Sequence, residues 1–216
     1  MSGTIGVFSG ELCHSDFAVA LMHHQTPPGA KLIWTKSVDI VGNMNSMVRK
    51  MEGDWLWVLG TDHVMDFDLL PRLLEHDVDV VVPLCLKRSP PYDPVVYSHQ
   101  NEDGDYVGYT DLPETGLVPI HAAGSAGMLI RRHVLDALED PVFESHGGLN
   151  EDLTFCAKVR DAGFGIWCDV DAKLGHIGSL SVWPVFRGEE WAIDLNLGNT
   201  IVMPMRRFVK AESAPA

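Results

Sequence analysis

WLWVLGTDHVMD, residues 55–66, decides how this chain folds. Trp55 to Leu59 is an unbroken apolar run, and a strand apolar on both faces has to be covered on both faces. Gly60 ends the run, and Thr61, Asp62 and His63 follow at once. Such a strand end is either an ordinary polar turn or the start of a metal site built from a carboxylate and an imidazole. The neighbouring segments choose between the two.

Upstream, TIGVFSG (4–10) reads as a first strand closed by Gly10. ELCHSDFAVALMHH (11–24) has Leu12, Phe17, Ala20 and Leu21 at helical spacing, and Pro27-Pro28-Gly29 stops it. His23 and His24, late in that helix, suit the negative end of its dipole. KLIWTK (31–36) is a second strand, and 41–51 a helix with Met44, Met47, Val48 and Met51 on one side. Downstream, DFDLLPRLLEH opens a helix after Asp66 in which Pro71 fits only the first turn. DVDVVVPLCL (77–86) is a fourth, β-branched strand. Strands alternating with helices at this rhythm imply a parallel α/β sheet with right-handed crossovers. Ligands of such sheets bind beyond the carboxyl ends of the strands, where Ser9-Gly10-Glu11 and Gly60 to His63 both fall.

Past residue 85 the texture changes. KRSPPYDP (87–94) is too proline-rich for a central strand. Residues 95–112 read as a hairpin turning at Glu102 to Asp105. GSAGMLIRRHVLDAL (124–138) runs from a small-residue loop into a strand and then a helix starting near His133. NEDLTFCAKVRDAG (150–163) is a helix with Asn150 as N-cap and Gly163 as its stop. FGIWCDV (164–170) is a strand and LGHIGS (174–179) a loop. We expect one mixed α/β domain over 1–210, with 211–216 a disordered tail.

The bulk properties bound the partners. With 216 residues and 46% apolar content, the chain can bury a substantial core. It has no apolar stretch of the roughly 20 residues a membrane span requires. The first residues have no signal-peptide pattern, and Cys13, Cys85, Cys156 and Cys168 form no C-x-x-C pair, so a cytoplasmic setting with reduced thiols is expected. A net charge of −14 argues against broad binding to nucleic acid or anionic membrane. Lys87–Arg88, Arg131–Arg132 and the 205–210 segment, with Arg206–Arg207, remain as local basic candidates.

Three features carry chemistry: Asp62 with His63, Glu151 with Asp152, and His176 between Gly175 and Gly178. Asp and His together suit a borderline divalent ion, and carboxylates in a first helical turn are kept ionised by the dipole. WLWVLGTDH, DVDVVVPL, GSAGMLIRR, NEDLTFCAKVRDAG and LGHIG come in the order seen in glycosyltransferases of the GT-A fold, family 2-like, which the chain resembles over residues 3–180. The resemblance implies a GT-A (Rossmann-like) mixed, mainly parallel sheet flanked by helices. It also implies a nucleotide-diphosphate sugar as donor and a divalent metal, Mn or Mg, held by Asp62 and His176. Ser9, Gly10, Glu11, Asn45 and Thr61 would border the nucleotide, with Met44 replacing the Arg of an Arg-Asn pair. Gly124, Ser125 and Gly127 would lie against the donor sugar. Asp152 would be the base for the acceptor hydroxyl, oriented by Glu151, in an inverting displacement with retention still open.

One position departs from the family. Gly60 stands where the first Asp of Asp-x-Asp is usual, and His63, on a turn, is expected to point elsewhere. The compact length resembles stand-alone bacteriophage enzymes, which suggests the hydroxymethylated pyrimidine of phage DNA as acceptor; a glycan or small molecule is the competing one. Trp55 and Trp57 read as core, and Trp183 and Trp191 as stacking candidates for an acceptor. Nucleotidyl transfer is disfavoured, because GVFSGELCHSD has no basic phosphate loop. An inactive, GT-A-derived binding domain is the third class.

Overall fold

The computed structural model describes residues 2–89 and 92–178 in full, and the backbone of 181–187, 190–196 and 200–204. The amino-terminal elements are β1 (Thr4–Ser9), α1 (Ser15–His23), β2 (Lys31–Lys36), α2 (Ile40–Lys50), β3 (Trp55–Gly60), β4 (His63–Met65), α3 (Leu69–Glu75) and β5 (Val80–Cys85). They continue as β6 (Val96–Gln100), β7 (Tyr106–Gly108), β8 (Leu117–Ile120), β9 (Ala122–Ala123), β10 (Leu129–Arg131), α4 (Arg132–Ala137), α5 (Glu151–Asp161) and β11 (Ile166–His176). Three antiparallel strands close the series: β12 (Ser181–Arg187), β13 (Glu190–Asn196) and β14 (Thr200–Pro204). The chain divides into two compact units, residues 1–87 with 92–177, and residues 88–91 with 178–216. Among the described residues no helix is long and apolar enough to cross a membrane.

In the larger unit the central sheet has the order β2-β1-β3-β10-β5-β11-β4, with β8 also paired to β11. β1, β2 and β3 are mutually parallel, β5 and β11 are parallel, and β10 runs antiparallel between β3 and β5. Five strands therefore share one direction, while β4, β8 and β10 oppose it. This is the mixed, mainly parallel sheet flanked by helices expected of a GT-A-like fold.

β3 shows why the sheet sits between two helical layers. Leu56 and Val58 pack with Met44 and Met47 of α2, Val134 of α4 and Phe155 of α5. Trp55, Trp57 and Leu59 face the other way, onto Phe17 of α1 and Leu69, Leu70 and Leu73 of α3. All five β3 side chains are fully buried, so a period-2 backbone feeds two cores from one continuous apolar run. Trp55 and Trp57 are core residues, as their alternation predicts.

Other local readings are corrected. β11 does not stop at residue 170; it bends and continues to His176, so LGH is strand rather than loop. Asp169 makes that bend. Its Oδ1 accepts from the backbone N–H groups of Asp171 (2.9 Å) and Ala172 (3.2 Å), and its Oδ2 faces His76 Nε2 at 2.9 Å. The first part of β11 pairs with β8, and after the irregularity its last three residues pair with β4. His24 is no helix-end cation either. It is buried, its Nε2 accepts from the Leu70 N–H at 3.2 Å, and burial pushes its pKa down. Residues 211–216 and Arg206–Arg207, and the side chains of Trp183 and Trp191, lie outside the described residues.

Candidate functional site

The site is assembled at the carboxyl edge of the sheet. β3 ends at Gly60, and its turn presents Asp62. The bend at Asp169 steers β11 beside β4, so that His176 pairs with His63, and the Ile177 N–H donates to the Asp62 carbonyl at 2.7 Å. Two segments separated by more than a hundred residues are thereby held backbone to backbone. His176 Nε2 then meets Asp62 Oδ2 at 3.3 Å, while His176 Nδ1 contacts the Leu86 carbonyl at 3.0 Å. Hydrogen bonds to Asp62 and to Cys85 push the His176 pKa up to about 10. Without a cation this ring is an imidazolium held against a carboxylate.

His63 does not point away. Its ring centre lies 5.1 Å from that of His176, and its Nε2 lies 3.8 Å from Asp62 Oδ1. Its Nδ1 accepts a hydrogen bond from the Gly60 N–H at 3.2 Å. This accounts for Gly60. A Cβ there would lie 3.0 Å from Asp62 Oδ1 and 3.2 Å from His63 Cε1, so the space over this residue is already filled by those two side chains. Cys85, at the end of β5, completes the group: one donor atom each from His63, Cys85 and His176 lie within 4.8 Å of one another. Nothing in the sequence singled out Cys85, because its proximity arises only from the parallel β5–β11 register, in which Leu174 is opposite Cys85.

These residues fit a divalent ion. The contact from His176 Nδ1 to a backbone carbonyl fixes the tautomer that directs Nε2 to the carboxylate, a common outer-shell arrangement for a ligating histidine. Carboxylate, imidazole and thiol together make a borderline donor set.

Asp152 sits half-buried in the first turn of α5. Burial, then the charge of Glu151, raises its pKa from 3.8 to about 6, although the N–H groups of Leu153 (2.8 Å) and Ser125 donate to it. Asn150 occupies the N-cap position with an extended backbone but makes no side-chain capping bond. Gly124 lies against this acid: a Cβ would stand 3.3 Å from Asp152 Oδ2. The link from acid to ligand group runs through one residue. The Val95 N–H donates to the Cys85 carbonyl (2.9 Å), and the Val95 carbonyl accepts from the Gly124 N–H (3.0 Å). Tyr97, on the same strand segment, was not foreseen; burial and then the charge of Asp152 push its phenol pKa up.

The remaining nucleotide candidates divide. Ser9 ends β1, and its Oγ accepts from Trp34 Nε1 at 2.9 Å. Gly10 and Glu11 are exposed in the loop that follows. That loop is tied to the β3 turn, with the Thr61 hydroxyl donating to the Leu12 carbonyl (3.3 Å) and the His14 N–H to the Thr61 carbonyl (3.2 Å). Asn45 is placed elsewhere. Buried in α2, its Nδ2 donates to the carbonyls of Phe143 (2.7 Å) and Val41 (3.0 Å), and its Oδ1 accepts from the Phe143 N–H (3.0 Å). It clamps a loop, with both amide hydrogens committed to backbone carbonyls. Gly127 also serves packing: its carbonyl accepts from Trp57 Nε1 at 2.9 Å, and a Cβ would come within 2.8 Å of Pro83.

No protein-family model and no curated protein matches this chain. Solved structures do match it. The crystal structure of A197 from STIV is similar over 96% of this chain and 96% of its own, with a TM-score of 0.53 at 15% identity. That is a likeness of fold. A structure of GalNAc-T7 with UDP, GalNAc and Mn2+ is similar over 68% of this chain, with a TM-score of 0.47 at 16% identity. This chain spans 32% of the GalNAc-T7 chain.

Proposed function

We propose that this chain is a metal-dependent glycosyltransferase that moves a sugar from a nucleotide-diphosphate donor to an acceptor hydroxyl. One observation carries the reading. A carboxylate–imidazole pair suited to a divalent ion, Asp62 with His176, groups with Cys85, and the backbone of Val95 hydrogen-bonds both Cys85 and Gly124, the residue against the half-buried acid Asp152. The order of sequence motifs supports the same reading.

Asp62 and His176 would hold the ion. When bound, it neutralises charge growing on the departing diphosphate, worth several kcal/mol in the transition state. Ser9, Gly10, Glu11 and Thr61 border the nucleotide, and Gly124 and Ser125 border the donor sugar. Asp152 takes the proton from the acceptor hydroxyl as its oxygen bonds to the anomeric carbon and the bond from that carbon to the phosphate oxygen breaks. A carboxyl with a pKa of about 6 is mostly ionised at neutral pH, yet is more basic than an exposed Asp. Glu151 contributes to that basicity through its charge. Attack opposite the leaving group inverts the anomeric centre.

For the acceptor, a glycan or small-molecule hydroxyl stands ahead of modified DNA. The chain carries a net charge of −14, and Lys87 lies 3.7 Å from Asp93. The deciding experiment incubates the protein with a panel of nucleotide sugars and Mn2+, with or without chelator, and follows nucleoside diphosphate release. Hydroxymethylated DNA and neutral glycans serve as separate acceptor arms. The reading predicts ion-dependent release from at least one donor. No release from any donor, together with no ion-dependent stabilisation by UDP or GDP, overturns it.

A further inference from the structure

We propose that Cys85 supplies a thiolate ligand to the cation held by Asp62 and His176, so that this site selects zinc or cobalt over magnesium. The inference rests on the reading that these two residues hold a cation, and it adds what decides which cation.

His176 stands between a carboxylate and a thiol: Asp62 Oδ2 is 3.3 Å from its Nε2, and Cys85 lies within the 4.8 Å donor group that also includes His63. Zinc takes nitrogen at about 2.0–2.1 Å and sulfur at about 2.3 Å, so its tetrahedral donors stand roughly 3.5 Å apart. His176 and Cys85, two of the three donors that lie within 4.8 Å of one another, need only a small closure to reach that spacing, and Asp62 Oδ2 already stands 3.3 Å from His176 Nε2. The backbone already fixes its frame, through the β5–β11 register on one side and the β11–β4 register on the other.

His63 has a different part. Its Nδ1 accepts from the Gly60 N–H, so in the neutral ring the proton sits on Nε2, on the side of Asp62. Ligation through Nε2 would put a proton on Nδ1 facing the Gly60 N–H, donor against donor. His63 therefore orients the carboxylate, and the ligands are Asp62, Cys85 and His176. Three protein ligands with a position left open is how a catalytic zinc site is built, and the open position suits a diphosphate oxygen.

The other buried thiols show what is special about Cys85. Burial pushes Cys156 and Cys168 up to about 12, and each is an inert core group. What sets Cys85 apart is geometric: its sulfur lies within 4.8 Å of donor atoms of two imidazoles. The binding step balances without redox chemistry. The ion displaces one proton from Cys85 Sγ and one from His176 Nε2, both go to solvent, and sulfur and nitrogen each keep the electron pair they donate. Thiolate is a soft ligand that magnesium, an oxygen-seeking ion, does not favour.

The test is cobalt titration of the full chain, followed by absorption. A bound thiolate gives an intense sulfur-to-cobalt charge-transfer band, separate from the weaker d–d bands. The wild type should show both, one equivalent of zinc should erase them, and a thousandfold excess of magnesium should not. Cys85→Ser should lose the charge-transfer band and keep d–d absorption, while Cys13→Ser should keep both. Cys85→Ala is the second variant, should serine unsettle this apolar surrounding. A wild-type cobalt complex lacking the charge-transfer band, or a band that survives in both Cys85 variants, overturns the proposal. These results are independent of turnover: a charge-transfer band without nucleoside diphosphate release would leave the ligand set standing and remove the glycosyltransferase reading.

Discussion

Both edges of the central sheet carry a His–Asp pair, and the two pairs are surrounded differently. At the amino edge, His133 Nε2 meets Asp79 Oδ1 at 2.8 Å, and Asp79 Oδ2 accepts the Gly165 N–H at 2.9 Å. That carboxylate staples the start of β5 to the turn before β11 and the start of α4. At the carboxyl edge, Asp62 faces His176 and His63, and those two imidazoles group with the Cys85 thiol. On the function proposed above, the shorter contact is the structural one. Whether a carboxylate serves the fold or a ligand depends on its other neighbours, and a His–Asp distance alone does not tell the two apart.

Breaking each pair in turn should have opposite consequences. Asp62→Ala or His176→Ala should abolish ion-dependent UDP or GDP binding in calorimetry and cut turnover about 10²–10³-fold, as loss of several kcal/mol of transition-state stabilisation requires. Asp79→Ala should leave that binding intact and lower unfolding stability by about 1–3 kcal/mol in urea, the cost of stranding the Gly165 N–H and His133.

The second acid at the carboxyl edge sharpens the contrast. Asp152→Asn should reduce kcat about 10²–10⁴-fold while the donor Kd changes less than twofold. Its folded-state pKa, about 6, is raised above the 3.8 of the unfolded chain, so the folded state holds this proton more tightly. The carboxylate is therefore a stability cost above about pH 6, and the cost is relieved as pH falls toward 3.8. Asn removes it, so the variant should gain on the order of 2 kcal/mol at neutral pH, allowing for partial solvent access.

The same ionisation predicts a rate profile. Activity should fall about tenfold per unit as pH drops below about 6, and the Asn variant's residual rate should lack that limb. The smallest effect belongs to Gly60→Ala. Its methyl would crowd Asp62 Oδ1 and His63 Cε1 by a few tenths of an ångström, so metal affinity should weaken only a few-fold. A loss as large as that of Asp62→Ala would mean that Gly60 contributes more than space.

Sequence pattern revealed the central sheet because its strands are apolar on both faces and punctuated by Gly and Pro. It singled out Asp62, Glu151, Asp152 and His176 because they fall at element ends in the motif order of the family the chain resembles, and the structure brings Asp62 and His176 within 3.3 Å. It did not reveal β4, β8 or β9, which are two to four residues long and have no period to read. It misread His63 and missed Cys85, since both owe their positions to pairing set by the Asp169 bend, a long-range feature. Asn45 was misplaced because a motif position specifies a residue type and not the direction of its amide; here Phe143, 98 residues away, takes both ends of it.

The central claim is that the carboxyl edge, and not the amino edge, holds a cation that recruits a nucleoside diphosphate. Calorimetric titration of UDP and GDP into wild type, His176→Ala and Asp79→Ala, each with and without a divalent ion, tests it most directly. The account predicts ion-dependent binding by wild type and Asp79→Ala and none by His176→Ala. Binding that ignores the ion, or that survives in His176→Ala and disappears in Asp79→Ala, would contradict it.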